Sequence, residues 1–572
     1  MTGLDDATTL RTLTILAISV GLTLALALLA LLFPRFGQSA FRRAESAFSR
    51  LAQRKALAVI VLFLSIIAIR LLALPLLPVP VPGIHDEFSY LLMSDTFAHG
   101  RLTNPPHPMW VSFETFHVNW LPTYSSMYFP AQGLALALGQ VLGHPWIGVL
   151  LSDAAMCAAI LWVLQAWMPA RWAFLGAALA ALKLGIASYW MNSYWGGAVA
   201  ATGAALVLGS LARIVKQPRA RDAVLLGLGV AILANSRPYE GFLFCLPAAA
   251  WLFWWFLGRT KPKDRLRVRF VNAILPITIV LIFTAACMGY YNWRLTGNAL
   301  LMPHVLNTRT YHSAPLFLWE HPKPEMQYRN QQFEDFYNGW ERESYHTNRT
   351  DALRVSGEKL FRGGVTYFWP GLLLALPALP FVLRDPELRL FWITLAIGMI
   401  GVFVVIWSAA HYAAPLTCVI YALIVHAIRH LRVMRFRARP VGVALSRAIV
   451  LLLVLDTGIN VARGICDPLL WPCEGDPSRA AIAKQLEQTP GKHLIVVRYT
   501  EDHNIHDDWV YNGADIDAAK VLWARELDPQ QNAKLFTYFK DRKIWLVTPD
   551  TDNTYLEPYT APSLQPTADQ DH

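Results

Sequence analysis

Long apolar runs, separated by short polar stretches, recur through most of the 572 residues. A run needs about 20 residues to cross ~30 Å of hydrocarbon as a helix. Runs near that length predict spanning helices over 12–33, 57–78, 146–167, 171–189, 196–213, 222–236, 241–258, 268–290, 364–383, 388–408, 412–429 and 441–462. The fold class they imply is mostly α, a polytopic membrane helical bundle of about 12 spans. The first run, about 22 residues, is longer than a signal-peptide core and precedes a basic loop, so it reads as a retained helix.

Three segments break the pattern. Loop 79–145 is rich in Pro and aromatics yet half apolar. Pro80, Pro82 and Gly83 stop the second helix. Residues 88–98 then place Phe88, Leu91, Leu92 and Phe97 near one face, which predicts a helix lying along the interface. Residues 129–143 are apolar but too short to span, and predict a second interfacial or re-entrant helix. Loop 291–363 is polar and dense in aromatics, which argues for order in so long a connection. The tail predicts a small soluble α/β domain. It has a helix over 476–488 capped by Asp476, a strand over 493–498, a helix over 528–542 and a strand over 543–547. The last dozen residues are expected to lack order. The division is therefore 1–56, an extra N-terminal helix and basic loop; 57–462, the membrane core; and 463–572, the tail domain.

Charge gives the helices a direction. The formal net charge is +10, which can signal a nucleic-acid partner. Here the Lys and Arg residues gather in four loops, 35–55, 213–221, 259–269 and 429–439. Alternating spans bring all four to one side, which the positive-inside rule makes cytoplasmic. Topology and anionic lipids account for the basic charge, and no nucleic-acid partner is expected. The N-terminus, both long loops and the tail fall outside. Asp5 and Asp6 against Arg11 fit an outer N-terminus. Of six Cys, Cys157, Cys245, Cys287 and Cys418 sit in apolar runs and read as small hydrophobes. Cys466 and Cys473 lie on the outer side, where a disulfide is a plausible pairing in an oxidising compartment.

Chemistry-bearing residues collect on that outer side. Asp86 and Glu87 stand just past the second span. A carboxylate there can take a proton from an acceptor hydroxyl, and a partly apolar loop can raise its pKa. The alternative is a pair of solvated acids at the start of the following helix. Arg70, Asp153, Lys183 and Asp456 lie six to eight residues inside the outer boundary, roughly 10 Å into hydrocarbon at 1.5 Å per residue. Charges at that depth face a cavity or a partner. Asp153 and Lys183 are at matching depth on consecutive helices, so a salt bridge between them and an anion-binding role stay open. Three polar-aromatic clusters follow at helix ends. The first contains Asn192 and Tyr194, the second Arg237 and Glu240, and the third His411 and Tyr412. Each alone reads as an interfacial Trp/Tyr belt. Together with the acidic loop, and with His304 and Arg309 in the second long loop, they suggest a binding site. In the tail, His503, His506, Asp507 and Asp508 read either as metal ligands or as a polar surface loop; no paired CxxC spacing occurs.

The stretch HDEFSYLLMSDTFAHGRLTNP (85–105), in a long outer loop opening with an acidic pair after a span, resembles the GT-C glycosyltransferases. Within them it is similar to the family 39 branch of dolichyl-phosphate-mannose–protein mannosyltransferases and lipid A aminoarabinose transferases. The resemblance covers roughly 57–430 and leaves the tail unassigned. It implies a GT-C-like core and inverting transfer of a sugar from a polyprenyl-phosphate donor to a lipid, glycan or protein acceptor. It further implies Asp86 as general base, with Glu87 beside it. Topology, rather than the resemblance, nominates Lys183, Arg237 and His411 to hold the phosphate. No Asp-x-Asp occurs around 190–196, which argues against an obligatory metal; no cofactor is expected, and a divalent cation stays open. Membrane lipids are the remaining partners, and a bacterial inner membrane with a periplasmic tail is the expected location. A transporter or lipid flippase is the alternative. Transporters usually carry internal repeats and midplane sites, and no repeat stands out here. A third reading, a scaffold displaying the tail, leaves the buried charges without a purpose.

Overall fold

A computed structural model of the chain describes residues 6–258, 264–367, 371–466, 475–550 and 555–560. Part of one basic loop (259–263), Cys473 and the final dozen residues lie outside the described residues. Cys466 is disulfide-bonded.

Each of the twelve apolar runs carries helix, but not every one forms a full-length straight span. Among the described residues, eight helices are long and apolar enough to cross a membrane. They are Lys55–Leu72, Pro145–Trp167, Ala198–Lys216, Pro238–Leu257, Leu266–Thr296, Pro386–Phe403, Ala410–Val433 and Val441–Ala462. The pair Ala352–Tyr367 and Gly371–Arg384, bent by 106°, makes a ninth if it is one span. Helices Ala170–Leu184 and Ala220–Ala234 have 15 residues each, about 22 Å of rise. The first stops at Gly185, and the chain continues as an irregular, almost wholly buried segment over 186–195. Non-helical backbone at such depth is tolerated where protein covers it. The first apolar run contributes Ala17–Leu32. The chain is thus a multi-pass, mostly helical membrane fold with a small sheet-bearing domain.

Residues 35–55 are more than a basic loop. Gln38–Gln53 is a strongly amphipathic helix carrying Arg42, Arg43 and Arg50, and Glu45 from it meets Arg432 and Arg447, both at 2.9 Å. On the other side, the first long loop builds helices His85–Ala98 and Pro130–Val141 around a short antiparallel hairpin, β1 (Val118–Asn119) and β2 (Ser125–Ser126). The 85–98 helix does not lie on the interface as expected. Phe88 and Leu92 on one side and Tyr90 and Met93 on another are all buried. In the 130–141 helix, by contrast, Leu134, Leu138 and Val141 remain more than half exposed. The second long loop is ordered, with helices Pro303–Thr310 and Glu341–Thr350.

The tail folds around a four-stranded sheet in the order β4-β3-β5-β6. β3 (Lys492–Val497) runs parallel to β4 (Val521–Arg525) and to β5 (Arg542–Val547); β6 (Leu556–Pro558) pairs antiparallel to β5. Its helices are Pro477–Gln488, capped by the Asp476 carboxylate, and Pro529–Tyr538. The tail is not a separate body. Phe88, Leu92, Phe113 and Trp120 of the first loop share one apolar core with Leu494, Tyr511 and Leu522 of the tail. The junction is tight: Gly475 has φ +64°, and a Cβ there would come within 1.9 Å of the Val81 carbonyl oxygen. Only glycine meets both demands. The Asp476 amide then donates to the Pro82 carbonyl at 3.3 Å.

The buried charges also differ from expectation. Asp153 and Lys183 form no ion pair; both Asp153 carboxyl oxygens are buried without a hydrogen-bond partner, and the charge Lys183 faces is that of Asp456. Arg70 is fully buried and structural. It donates to the Leu77 carbonyl (2.8 Å), the Pro78 carbonyl (3.1 Å) and Asn192 Oδ1 (2.8 Å), over the face of Trp146. Its guanidinium binds carbonyls left over where the span ends, so it fixes the entry to the first outer loop.

Candidate active site

Between the first loop, the ends of the membrane helices, the second loop and the tail lies a cavity of about 530 Å³. Six of the residues singled out in the sequence line it: Asp86, Arg237, Glu240, His304, Tyr412 and, from the tail, His506. Each arrives from a different stretch of chain or at a helix start. Asp86 stands in the first turn of the 85–98 helix, and Arg237 precedes Pro238 at the head of its span.

Asp86 is held, yet still reachable. Its side chain keeps 19% exposure, toward the cavity. The Tyr128 hydroxyl donates to its Oδ1, and the same hydroxyl lies 3.0 Å from His117 Nδ1. A phenol has one hydrogen, so with that hydrogen on Asp86 the bond from His117 runs Nδ1–H to the Tyr128 oxygen. Tyr128 stacks on Tyr90 at 4.5 Å, which fixes its ring. His117 is a non-glycine residue at φ 59°, sitting beside the hairpin; its carbonyl takes hydrogen bonds from Ser89 Oγ and the Met127 amide. Left-handed backbone at a non-glycine residue is uncommon and concentrates at functional sites. Burial pushes the Asp86 carboxyl above its ordinary range, while the Tyr128 hydrogen bond, His85 and the Arg237 charge pull it back. The histidines nearby are held neutral by burial: His304 falls to about 4, and His117 and His506 are lowered.

The cationic side consists of Arg237 and Arg362. Arg237 lies 4.2 Å from the Tyr412 ring centroid and faces the carboxylate of Glu240. A guanidinium stacked on a phenol keeps its edge free for a planar donor fork. Much of the remaining lining is apolar or aromatic, with Phe129, Leu316, Val405 and Trp407 among it.

The other sequence candidates fall elsewhere. Glu87 does not line the cavity. Its Oε2 accepts from the Gly83 (2.9 Å) and Ile84 amides, and its Oε1 accepts from the Tyr194 amide at 2.9 Å. Asn192 is spent on Arg70 and on the Ile186 and Ser188 carbonyls. Tyr194 donates to the Pro80 carbonyl. His411 is buried one layer behind, 3.1 Å from the Tyr189 hydroxyl. Lys183 and Arg309 are not among the lining residues, and Arg309 is exposed at the end of its helix.

Sequence reasoning missed His117, Tyr128, Arg362 and the role of His85. His85 donates from Nε2 to the Ile505 carbonyl and accepts at Nδ1 from Tyr511, both at 2.9 Å, so it ties the acidic loop to the tail. The tail itself reaches the cavity through His506, packed on Trp340 at 4.6 Å. Its neighbours do other work: Asp508 binds Arg525 at 2.6 Å, and His503 binds Asp550 at 2.7 Å. Among the described residues, no group of three or more His, Cys, Asp or Glu side chains is placed to hold a metal ion. His117 lacked a local signal, because only the hairpin brings it to Asp86.

No family model matches the chain, and no curated protein matches it. Among solved structures it is similar to the Archaeoglobus fulgidus oligosaccharyltransferase tethered to an acceptor peptide. That match has a TM-score of 0.41 at 13% identity, over 85% of this chain and 69% of that one. The archaeal AglB of the same organism, in complex with an inhibitory peptide and a dolichol-phosphate, gives 0.37 at 12%, over 85% and 69%. ArnT from Cupriavidus metallidurans, bound to undecaprenyl phosphate, gives 0.46 at 14%, over 86% and 93%. These are GT-C glycosyltransferases, the class that the 85–105 stretch resembles. With TM-scores below 0.5, the likenesses bear on neither the reaction nor the role of any residue.

Proposed function

We propose that the chain is a membrane glycosyltransferase that moves a sugar from a polyprenyl-phosphate donor to an acceptor hydroxyl on the outer face, with inversion. The observation that carries this reading is the shared cavity: a desolvated, partly open carboxylate, Asp86, and a stacked guanidinium, Arg237, line one partly apolar chamber. Asp86 takes the proton of the acceptor hydroxyl as its oxygen attacks the anomeric carbon. The bond from that carbon to the phosphate oxygen breaks, and the lipid phosphate departs with the electron pair. That leaving group already carries charge, so it needs no general acid. Arg237 and Arg362 stabilise it, and Tyr412 holds Arg237 in place. Glu87 orders the loop rather than reacting. We further infer a bacterial inner membrane, with the basic loops cytoplasmic and the tail periplasmic.

The experiment is turnover of polyprenyl-phosphate sugars by the purified protein in lipid nanodiscs, wild type against Asp86→Asn. Turnover of a donor by wild type, lost in the variant, supports the reading. Undiminished turnover in Asp86→Asn overturns the base assignment.

A further inference from the structure

A second cavity, of about 310 Å³, lies between the two long loops. We infer that it is a binding site for a neutral saccharide, separate from the transfer cavity. Its walls are aromatic: Trp110, Trp120, Tyr311, Tyr328 and Phe333 all line it. Flat rings offer apolar faces to the C–H side of a pyranose, and polar groups between them can meet its hydroxyls.

The charge on the lining selects the ligand. Among the described lining residues, Glu114 and Arg329 alone carry a formal charge at neutral pH, and they pair at 3.1 Å. One negative and one positive charge leave the lining formally neutral, so neither a phosphate nor a cation is favoured. The pair still offers what a sugar needs. Glu114 is buried and accepts from the Tyr311 hydroxyl at 3.1 Å, and Arg329 lies over the face of Trp110 at 4.9 Å. Asn119 adds an amide at the wall.

One wall of the cavity is rigid. Trp120 is 2% exposed, and its buried Nε1 has no hydrogen-bond partner. Its ring is locked by stacking on Tyr124 at 4.3 Å.

The two cavities are one aromatic layer apart. Phe116 packs on Phe333, which lines the second cavity, at 4.5 Å, and on Phe336, which lines the first, at 4.8 Å. A saccharide in the second cavity therefore sits beside the transfer chamber without entering it. Binding there does not depend on the transfer reaction.

The test is saturation-transfer NMR on the full chain in nanodiscs. The probes are methyl glycosides of glucose, galactose, mannose and N-acetylglucosamine, and their disaccharides. Wild type should show transfer to at least one probe. Trp110→Ala removes a wall, and Leu121→Arg puts a longer side chain into the lining from a position that is 53% exposed. Each should weaken binding at least tenfold with an unchanged melting profile, whereas Asp86→Asn should bind as wild type. The inference fails if no probe binds wild type, or if both cavity variants bind normally. It also fails if Asp86→Asn abolishes binding that Trp110→Ala retains, which would place the sugar in the transfer chamber.

Discussion

Tyr128 gives its phenolic hydrogen to Asp86 and, in the same geometry, accepts one from His117 Nδ1 at 3.0 Å. The carboxylate is therefore both restrained and electronically stabilised by a group that cannot itself be the base. Asp86→Asn keeps the shape and removes the basicity. We expect it to lower kcat by about 10²- to 10⁴-fold, with the melting temperature close to wild type.

Tyr128→Phe separates restraint from chemistry. Its hydrogen bond favours ionised Asp86, so its loss raises a carboxyl pKa that burial has already raised. The base must be ionised, and the rate therefore climbs as pH rises through that pKa. In Tyr128→Phe the acidic limb of the kcat profile should move to higher pH, with a plateau loss smaller than that of Asp86→Asn. An unmoved limb would assign the limb to another group.

Glu87 predicts a different pH dependence, in stability. Burial raises its carboxyl from 4.5 to about 7, against the amides that pull it down. The folded state then holds a proton that the unfolded chain releases above about 4.5. Stability contributed by this site is full below that value and falls as pH rises toward 7. Glu87→Gln mimics the protonated acid and should flatten the decline in apparent melting temperature between pH 5 and 7. Glu87→Ala strands the Gly83 and Tyr194 amides, and should cost about 1–3 kcal/mol at any pH.

Arg237 is assigned to donor binding. Arg237→Ala should raise the KM for a polyprenyl-phosphate sugar by about ten- to a hundredfold, the loss of a charge-assisted contact. Arg237→Lys should recover only part, because an ammonium cannot stack on Tyr412 and present a planar fork. Steady-state kinetics on donor dilution in nanodiscs would distinguish this KM effect from the kcat effect at Asp86.

The tail should matter to turnover. Gly475→Val forces a side chain into the Val81 carbonyl and should undock the tail. Membrane insertion should be normal, with turnover lost and the protease sensitivity of 476–560 increased. His506→Ala should leave the tail docked and change KM more than stability, since the ring lines the cavity and packs on Trp340.

The helical core was legible in the sequence because hydrocarbon imposes its own period and length. Within the site, Asp86 and Arg237 stood out because each sits at the end of an apolar run. What escaped depended on contacts distant in sequence. Asn192 looked like a ligand group until Arg70, 122 positions earlier, took its oxygen. His117 carried no pattern at all, and His506 read as a residue of either a polar surface loop or a metal loop in the tail. The Asp153–Lys183 pairing failed because equal depth says nothing about which way two helices face.

The tie between His85 and residues 505–511 has a consequence for how the molecule is made. A ribosome delivers Asp86 early and the tail last. Until the final long apolar helix and some forty further residues have been made, the chamber lacks one of its walls. A nascent chain that stops short of His506 therefore holds the carboxylate without the enclosure that tunes it.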